Sequence, residues 1–259
     1  MRRSLSLSKG ALAITIALGV SGLALGLPQG ALAQMTLLGV GSTGAPAGGG
    51  GPAWTPYTSP ACYSGGFTSS LSFTVGVGTG VVVFGVSTGT SSATFSSPQL
   101  GGHAPTGTIG SANGGVMYYF DNTGGTISGS TASFTATSSA GFNAACAWSG
   151  LLTGLNSATP TSTPTPTSGT GLEPFSGPAL TVNSGGIGVI VLGIQDTSTS
   201  LPLTWTSATR DSATEAWTGN GNGASVGAAH MSTSATPMVQ CNDSSCNYQY
   251  YNIIAGAWR

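Results

Sequence analysis

An all-β sandwich is the fold class this sequence predicts, and three observations carry it. Short runs rich in Val, Ile, Thr and aromatic residues recur from about residue 67 onward, divided by Gly, Ser, Thr and Asn turns. Beyond the first 33 residues no stretch carries the 3.6-residue apolar period of a helix. The third is a weak internal repeat: Gly80-Val-Val-Val-Phe-Gly-Val-Ser87 aligns with Gly188-Val-Ile-Val-Leu-Gly-Ile-Gln195 at an offset of 188 − 80 = 108. Under that offset "ACAW" (145–148) falls on "IIAG" (253–256), both late apolar strands. Together these predict one jelly-roll-like or concanavalin-like β-sandwich, residues 66–259, of two similar halves that each supply strands to both sheets.

Taken from the N-terminus, the first element is a signal. Arg2, Arg3 and Lys9 precede an uncharged apolar run, residues 11–27, and then Pro28 and Ala31-Leu32-Ala33. Basic, apolar and small-x-small regions in this order describe a secretory signal peptide, residues 1–33, cleaved before Gln34. The apolar run falls just short of the roughly 18–20 residues of a spanning helix, so no stable membrane span is expected after cleavage. A start at Met35 is the other way to read "ALAQMTLLGVG", and it would make the chain a particle component without a leader.

Residues 34–65, dense in Gly, Pro and Ala, read as a flexible leader. Strands are then expected at 70–76, 80–87, 115–122, 131–137 and 143–150 in the first half (66–158). In the second half (172–259) they are expected at 179–183, 187–196, 203–208, 224–231 and 248–258. Between the halves, "TPTSTPTPTSGTG" (159–171) reads as an extended Pro/Thr crossover within one domain rather than a linker between two.

Charge excludes one class of partner. Only 4% of residues are charged, where a globular chain has about 25%. After Lys9 the basic side chains are Arg210 and Arg259, against Asp121, Glu173, Asp196, Asp211, Glu215 and Asp243, a net charge of 2 − 6 = −4. Nucleic-acid binding needs clustered Lys and Arg to displace counterions, and this chain has no such cluster. Solubility rests on Ser, Thr, Asn and Gly.

Four cysteines, at 62, 146, 241 and 246, suit an oxidising compartment. Cys241 and Cys246 bracket the turn-forming "NDSS", so a disulfide is expected there, with free thiols or a metal as the competing readings. Whether Cys62 and Cys146 pair is left open.

Candidate chemistry is thin. "GVSTG" (85–89) matches the nucleophile-elbow pattern, but no helix follows Ser87, as that motif requires. His103 lies in a turn-like run and His230 in an apparent strand, and neither stands beside an acid in sequence. Asp211 and Glu215 lie between Trp205 and Trp217, as an acid pair in a sugar cleft could, or else on a polar hairpin tip. Asp121-Asn122 and Asn242-Asp243 could offer oxygens to calcium but form no recognisable loop, and "GNGNGASVG" (219–227) lacks the βαβ setting of a phosphate loop. The expectation is a chain that is not an enzyme and needs no cofactor or metal. Its best contact surface is the loop carrying Trp205, Arg210, Asp211, Glu215 and Trp217, since aromatic and Arg side chains dominate binding energy.

"MTLLGVGSTGAPAGGGG", "SLSFTVGVGTGVVVFGVS", "GVMYYFDN", "CAWSGLLTGLNSATP", "ALTVNSGGIGVIVLGIQD" and the closing "YYNIIAGAW" give the chain a family resemblance. Over about residues 35–259 it resembles a loosely defined group of β-sandwich proteins from bacteriophage structural gene clusters and from bacterial surface or exported proteins. The resemblance implies a structural, display or adhesive role and carries over no catalytic residue; residues 1–33 depart from it. The expected partners are a surface glycan, a protein receptor or other subunits of a particle or surface, including further copies of the chain. The alternatives are a secreted carbohydrate-binding module, supported by Trp54, Trp205 and Trp217 and the Pro/Thr segment, and, less well, an extracellular hydrolase. The expected location is outside the cytoplasm, or in a virion if Met35 begins the chain.

Overall fold

The computed structural model describes residues 51–58, 60–170, 174–196, 203–218, 223–241 and 248–259. In the first half lie β1 (Ala53–Pro56), β2 (Ala61–Gly76), β3 (Gly80–Thr88), β4 (Phe95–Leu100), β5 (Gly107–Ala112), β6 (Gly115–Asn122) and β7 (Thr131–Thr153). The crossover and second half supply β8 (Thr167–Gly169), β9 (Phe175–Ser176), β10 (Ile187–Asp196), β11 (Leu203–Thr206), β12 (Thr209–Trp217), β13 (Gly223–Met231), β14 (Met238–Cys241) and β15 (Tyr248–Trp258). The regular structure of the described residues is all β, in antiparallel sheets.

The repeat is visible as topology. The main sheet of the first half runs β1-β7-β3-β6-β5, and that of the second runs β8-β15-β10-β13-β12. Each half also has a small outer layer with its latest strand in the middle. In the first, β2 and β4 flank the beginning of β7; in the second, β9 and β11 flank β14. The expectation that each half feeds both sheets of one sandwich is therefore corrected: each half builds its own pair of layers. The 108-residue offset relates the central strands β3 and β10 but not the last ones. Gly150 and Ile254 face Val83 and Val191, and 254 − 150 = 104.

Why β3 and β10 are continuous apolar runs follows from this layering. Alternate side chains point to opposite faces of a sheet. Val82, Phe84 and Val86 enter the core inside the first half, whereas Val81 and Val83 enter the core between the halves. Ile190, Leu192 and Ile194 fill the core inside the second half, and Ile187, Val189 and Val191 meet the first half. A strand buried on both faces has no polar side to show. The core between the halves also takes Met117, Trp148, Val226, Ala228, Ile254 and Trp258, and residues 50–259 form one compact unit.

Glycine seats bring the aromatic rings in. Trp148 lies opposite Gly85 in the β3–β7 register, and a β-carbon on Gly85 would stand 2.6 Å from its Nε1. Asn252 lies opposite Gly193 in the equivalent β10–β15 pair, where an added β-carbon would meet Ser87 Oγ at 2.5 Å and Asn252 Nδ2 at 2.8 Å. Glycine is required here for close approach, not for turning.

Other expectations need correction. The leader does not extend to residue 65: Trp54 in β1 rests on Gly150, Tyr57 on Gly76, and β2 is already paired to β7 from Ala61. Residues 131–137 and 143–150 are parts of one long strand, β7. Residues 179–183 make only an isolated bridge, Leu180 to Ala235, although Leu180 and Val182 are buried as their alternation suggests. The crossover packs against the second half: Thr161 N–H donates to Ala257 O, Trp258 Nε1–H to Ala158 O, and β8 edges β15.

Candidate functional site

The residues singled out for binding lie on β11 and β12, and the structure divides them. Residues 209–217 are an edge strand on β13 rather than a loop, with a bulge between Asp211 and Ala216. A bulge re-aims side chains along its strand. Asp211 packs toward the core between the halves, while Glu215 turns to the outer layer, where Leu203 N–H donates to its Oε1 at 3.4 Å. Arg210 grips the same carboxylate in a two-point pair, Nε to Oε1 and Nη2 to Oε2, each 2.7 Å. That pairing, chiefly its hydrogen bonds, holds the guanidinium pKa above its ordinary value. Trp205 is half-buried against the outer-layer core with no partner for its indole N–H, whereas Trp217 at the end of β12 is 46% exposed.

Asp211 is the centre of a buried ionisable cluster. Its side chain is 3% exposed. Oδ1 lies 2.7 Å from His230 Nδ1 and Oδ2 accepts the Trp54 indole N–H at 2.8 Å. Its carbonyl accepts from Thr214 Oγ1, which in turn accepts from the Ala228 N–H. The cluster joins the halves: Trp54 belongs to the first, and Asp211 and His230 to the second. A buried carboxylate costs several kcal/mol unless paired, and here both oxygens are taken.

Asp211 and Glu215, neighbours in sequence, are therefore held by different partners on different sides of β12. His230, without an acid beside it in sequence, is paired in the fold, and its side chain is 32% exposed. A recess of about 410 Å³ opens beside it, lined by Ser207, Thr209, Ser232 and Thr233 with Ala208 and Met231. Ser207 forms the β11–β12 turn with a φ of 65°, a left-handed conformation uncommon for serine.

The remaining candidates are structural or remote from the cluster. Ser87 of "GVSTG" is inside β3 and 1% exposed, so no substrate reaches it. His103 bridges back to Leu100 through its backbone in an exposed turn. Asn122 is buried, with its amide spent on Gly78 O, Ile127 O and the Ile127 N–H. Asp121 accepts from the Thr123 hydroxyl and N–H, which lowers its pKa, and it borders a cavity of about 360 Å³ with Leu152 and Ala158. Cys62 and Cys146, opposite one another in β2 and β7, form a disulfide. The predicted Cys241–Cys246 bridge, like Asn242-Asp243 and residues 219–222, lies outside the described residues.

No known protein family, curated protein or solved structure matches this chain.

Proposed function

We propose that the chain is a non-enzymatic structural and adhesive module displayed outside the cytoplasm, on a cell surface or as a virion-associated component. The observation that carries this reading is the back-to-back duplication. Two sandwiches of the same strand order share an extensive apolar core and so make a stiff body that holds its outer edges at fixed positions. Rigid sheets of this kind present edges and turns for contact. The Cys62–Cys146 disulfide supports the same reading, because such bonds persist in oxidising compartments. Hydroxyl-rich, nearly uncharged surface chemistry suits an exposed position where salt and pH vary.

Immunogold labelling of intact cells and of purified particles tests the location. Label on either supports the proposal, and which of the two carries it separates the surface role from the virion role. Protein found only in the cytosol with Cys62 and Cys146 reduced overturns it. A native N-terminus at Gln34 is expected for the surface form.

A further inference from the structure

We propose that the recess beside His230 binds an uncharged, hydroxyl-bearing ligand of the size of a sugar residue, with a ligand hydroxyl donating to His230 Nε2. The inference rests on the adhesive reading above and names its contact chemistry.

The orientation of the imidazole is imposed from behind. A carboxylate only accepts, so Nδ1 carries the proton in the 2.7 Å contact with Asp211 Oδ1, and in the neutral form of the ring Nε2 then keeps its lone pair. Asp211 cannot swing away, because its other oxygen is held by the Trp54 indole at 2.8 Å and it is buried. The His230 side chain is 32% exposed and lines the recess, and among the described residues Nε2 takes part in no hydrogen bond, so a preorganised acceptor faces the recess. Thr209 stands opposite His230 in the β12–β13 register, which puts the two side chains on one face of the sheet.

The walls choose the ligand. Ser207, Thr209, Ser232 and Thr233 bring four hydroxyls, each able to donate or accept, and Ala208 and Met231 bring apolar surface. No Asp, Glu, Lys or Arg side chain lines the recess, and Arg210 is neutralised by Glu215. An acceptor nitrogen ringed by hydroxyls and a little apolar surface complements a polyol, not a phosphate or a carboxylate. Its volume of about 410 Å³ lies within the roughly 300–1,000 Å³ of small-molecule sites. With one imidazole facing it and no cluster of three metal-binding side chains among the described residues, the recess lacks a ligand set for a metal ion. The left-handed backbone of Ser207 is the kind of local strain that marks functional turns.

Titration of the full chain, with its histidines labelled by ¹⁵N, against the methyl glycosides of glucose, galactose and mannose tests the site. The expected result is a saturable shift of the His230 ring nitrogens, with His103 unmoved. Asp211→Asn reverses the tautomer, turning Nε2 from acceptor to donor, and weakens binding about tenfold, the value of one good hydrogen bond. Should that variant fail to fold, Thr209→Val with Ser232→Ala leaves the Asp211–His230 pair intact and is expected to weaken binding by a similar factor. No saturable response at His230 to any of the glycosides, or affinity unchanged in the variants, overturns the inference. Protein that labels intact cells or particles without any response at His230 overturns this site alone and leaves the displayed, adhesive module standing.

Discussion

The two halves share a strand order but close their sandwiches differently. In the first, the 23-residue β7 runs through both layers, pairing with β2 and β4 at its beginning and with β1, β2 and β3 beyond, and a disulfide pins it to β2. Its core is aromatic, with Phe84 and Phe134 stacked at 3.9 Å. In the second, the outer layer consists of separate strands of 4, 4 and 2 residues, and its core is largely aliphatic. Continuity and a covalent tie make the first half the frame. Lacking both in its described residues, the second half carries the bulged β12, the buried carboxylate and the recess. Function-bearing segments are drawn from the less stable end of a structure, and the proposed site lies in the half that lacks both ties among its described residues.

The sharpest break falls where both depend on one core. Trp148→Ala empties the seat on Gly85 and opens the layer between the halves. A loss of about 3–5 kcal/mol is expected by urea denaturation, with both halves unfolding together. A loss confined to amides of the first half by hydrogen exchange would show that the halves are not coupled through this core.

Replacing Cys62 and Cys146 by alanine removes a tie across 84 residues of sequence. About 2–5 kcal/mol is expected, measured by thermal denaturation. Exchange protection should fall in β2 and the beginning of β7 before it falls in β10 and β13. If the halves lose protection equally, the disulfide does not distinguish them.

Alkali offers a milder test of the first half. Burial pushes the Tyr118 phenol up to about 12 from an ordinary 10.0, so the folded state resists an ionisation that the unfolded chain accepts. That contribution is whole below pH 10 and is lost as pH rises from 10 toward 12. The alkaline drop in stability should shrink in Tyr118→Phe.

The smallest effect is expected at the pair that sequence favoured for binding. Arg210→Ala leaves the Glu215 carboxylate, whose side chain is 4% exposed, with the Leu203 N–H. Because the departing guanidinium is about one-third exposed and opens the carboxylate to water, a loss of about 1–2 kcal/mol is expected by denaturation. A larger loss would mean that the Arg210–Glu215 clamp fastens β12 to the outer layer and that the second half relies on it.

Much of the fold was legible because burial leaves a local trace. The runs 80–87, 115–122, 187–196 and 248–258 match β3, β6, β10 and β15 nearly residue for residue, since strands buried on both faces must be apolar throughout. The strands that escaped are short, as β4, β5, β8, β9 and β14 are at two to six residues, or, like β12, a bulged edge carrying charged side chains. β5 and β8 are mostly Ser, Thr and Gly, which read the same in a strand as in a turn. β1 escaped because Gly and Pro surround Trp54, whose place depends on a glycine nearly a hundred residues away. The site suffered most. Its three members, Trp54, Asp211 and His230, are separated by 157 and 19 residues, so no spacing motif could announce them.

By itself the sequence determined the all-β class, the centres of both sheets, the repeat that links them and a surface almost without charge. Each of these depends on composition or on neighbours a few residues apart, and side-chain alternation writes such facts into the chain directly. The tertiary structure decided that each half closes its own sandwich, that Cys62 meets Cys146, and that β12 sends Asp211 inward and Glu215 outward. Those are matters of register between distant strands, where a shift of one residue turns every side chain to the opposite face. A strand records which residues want burial, but its partner and their alignment settle what each of them meets.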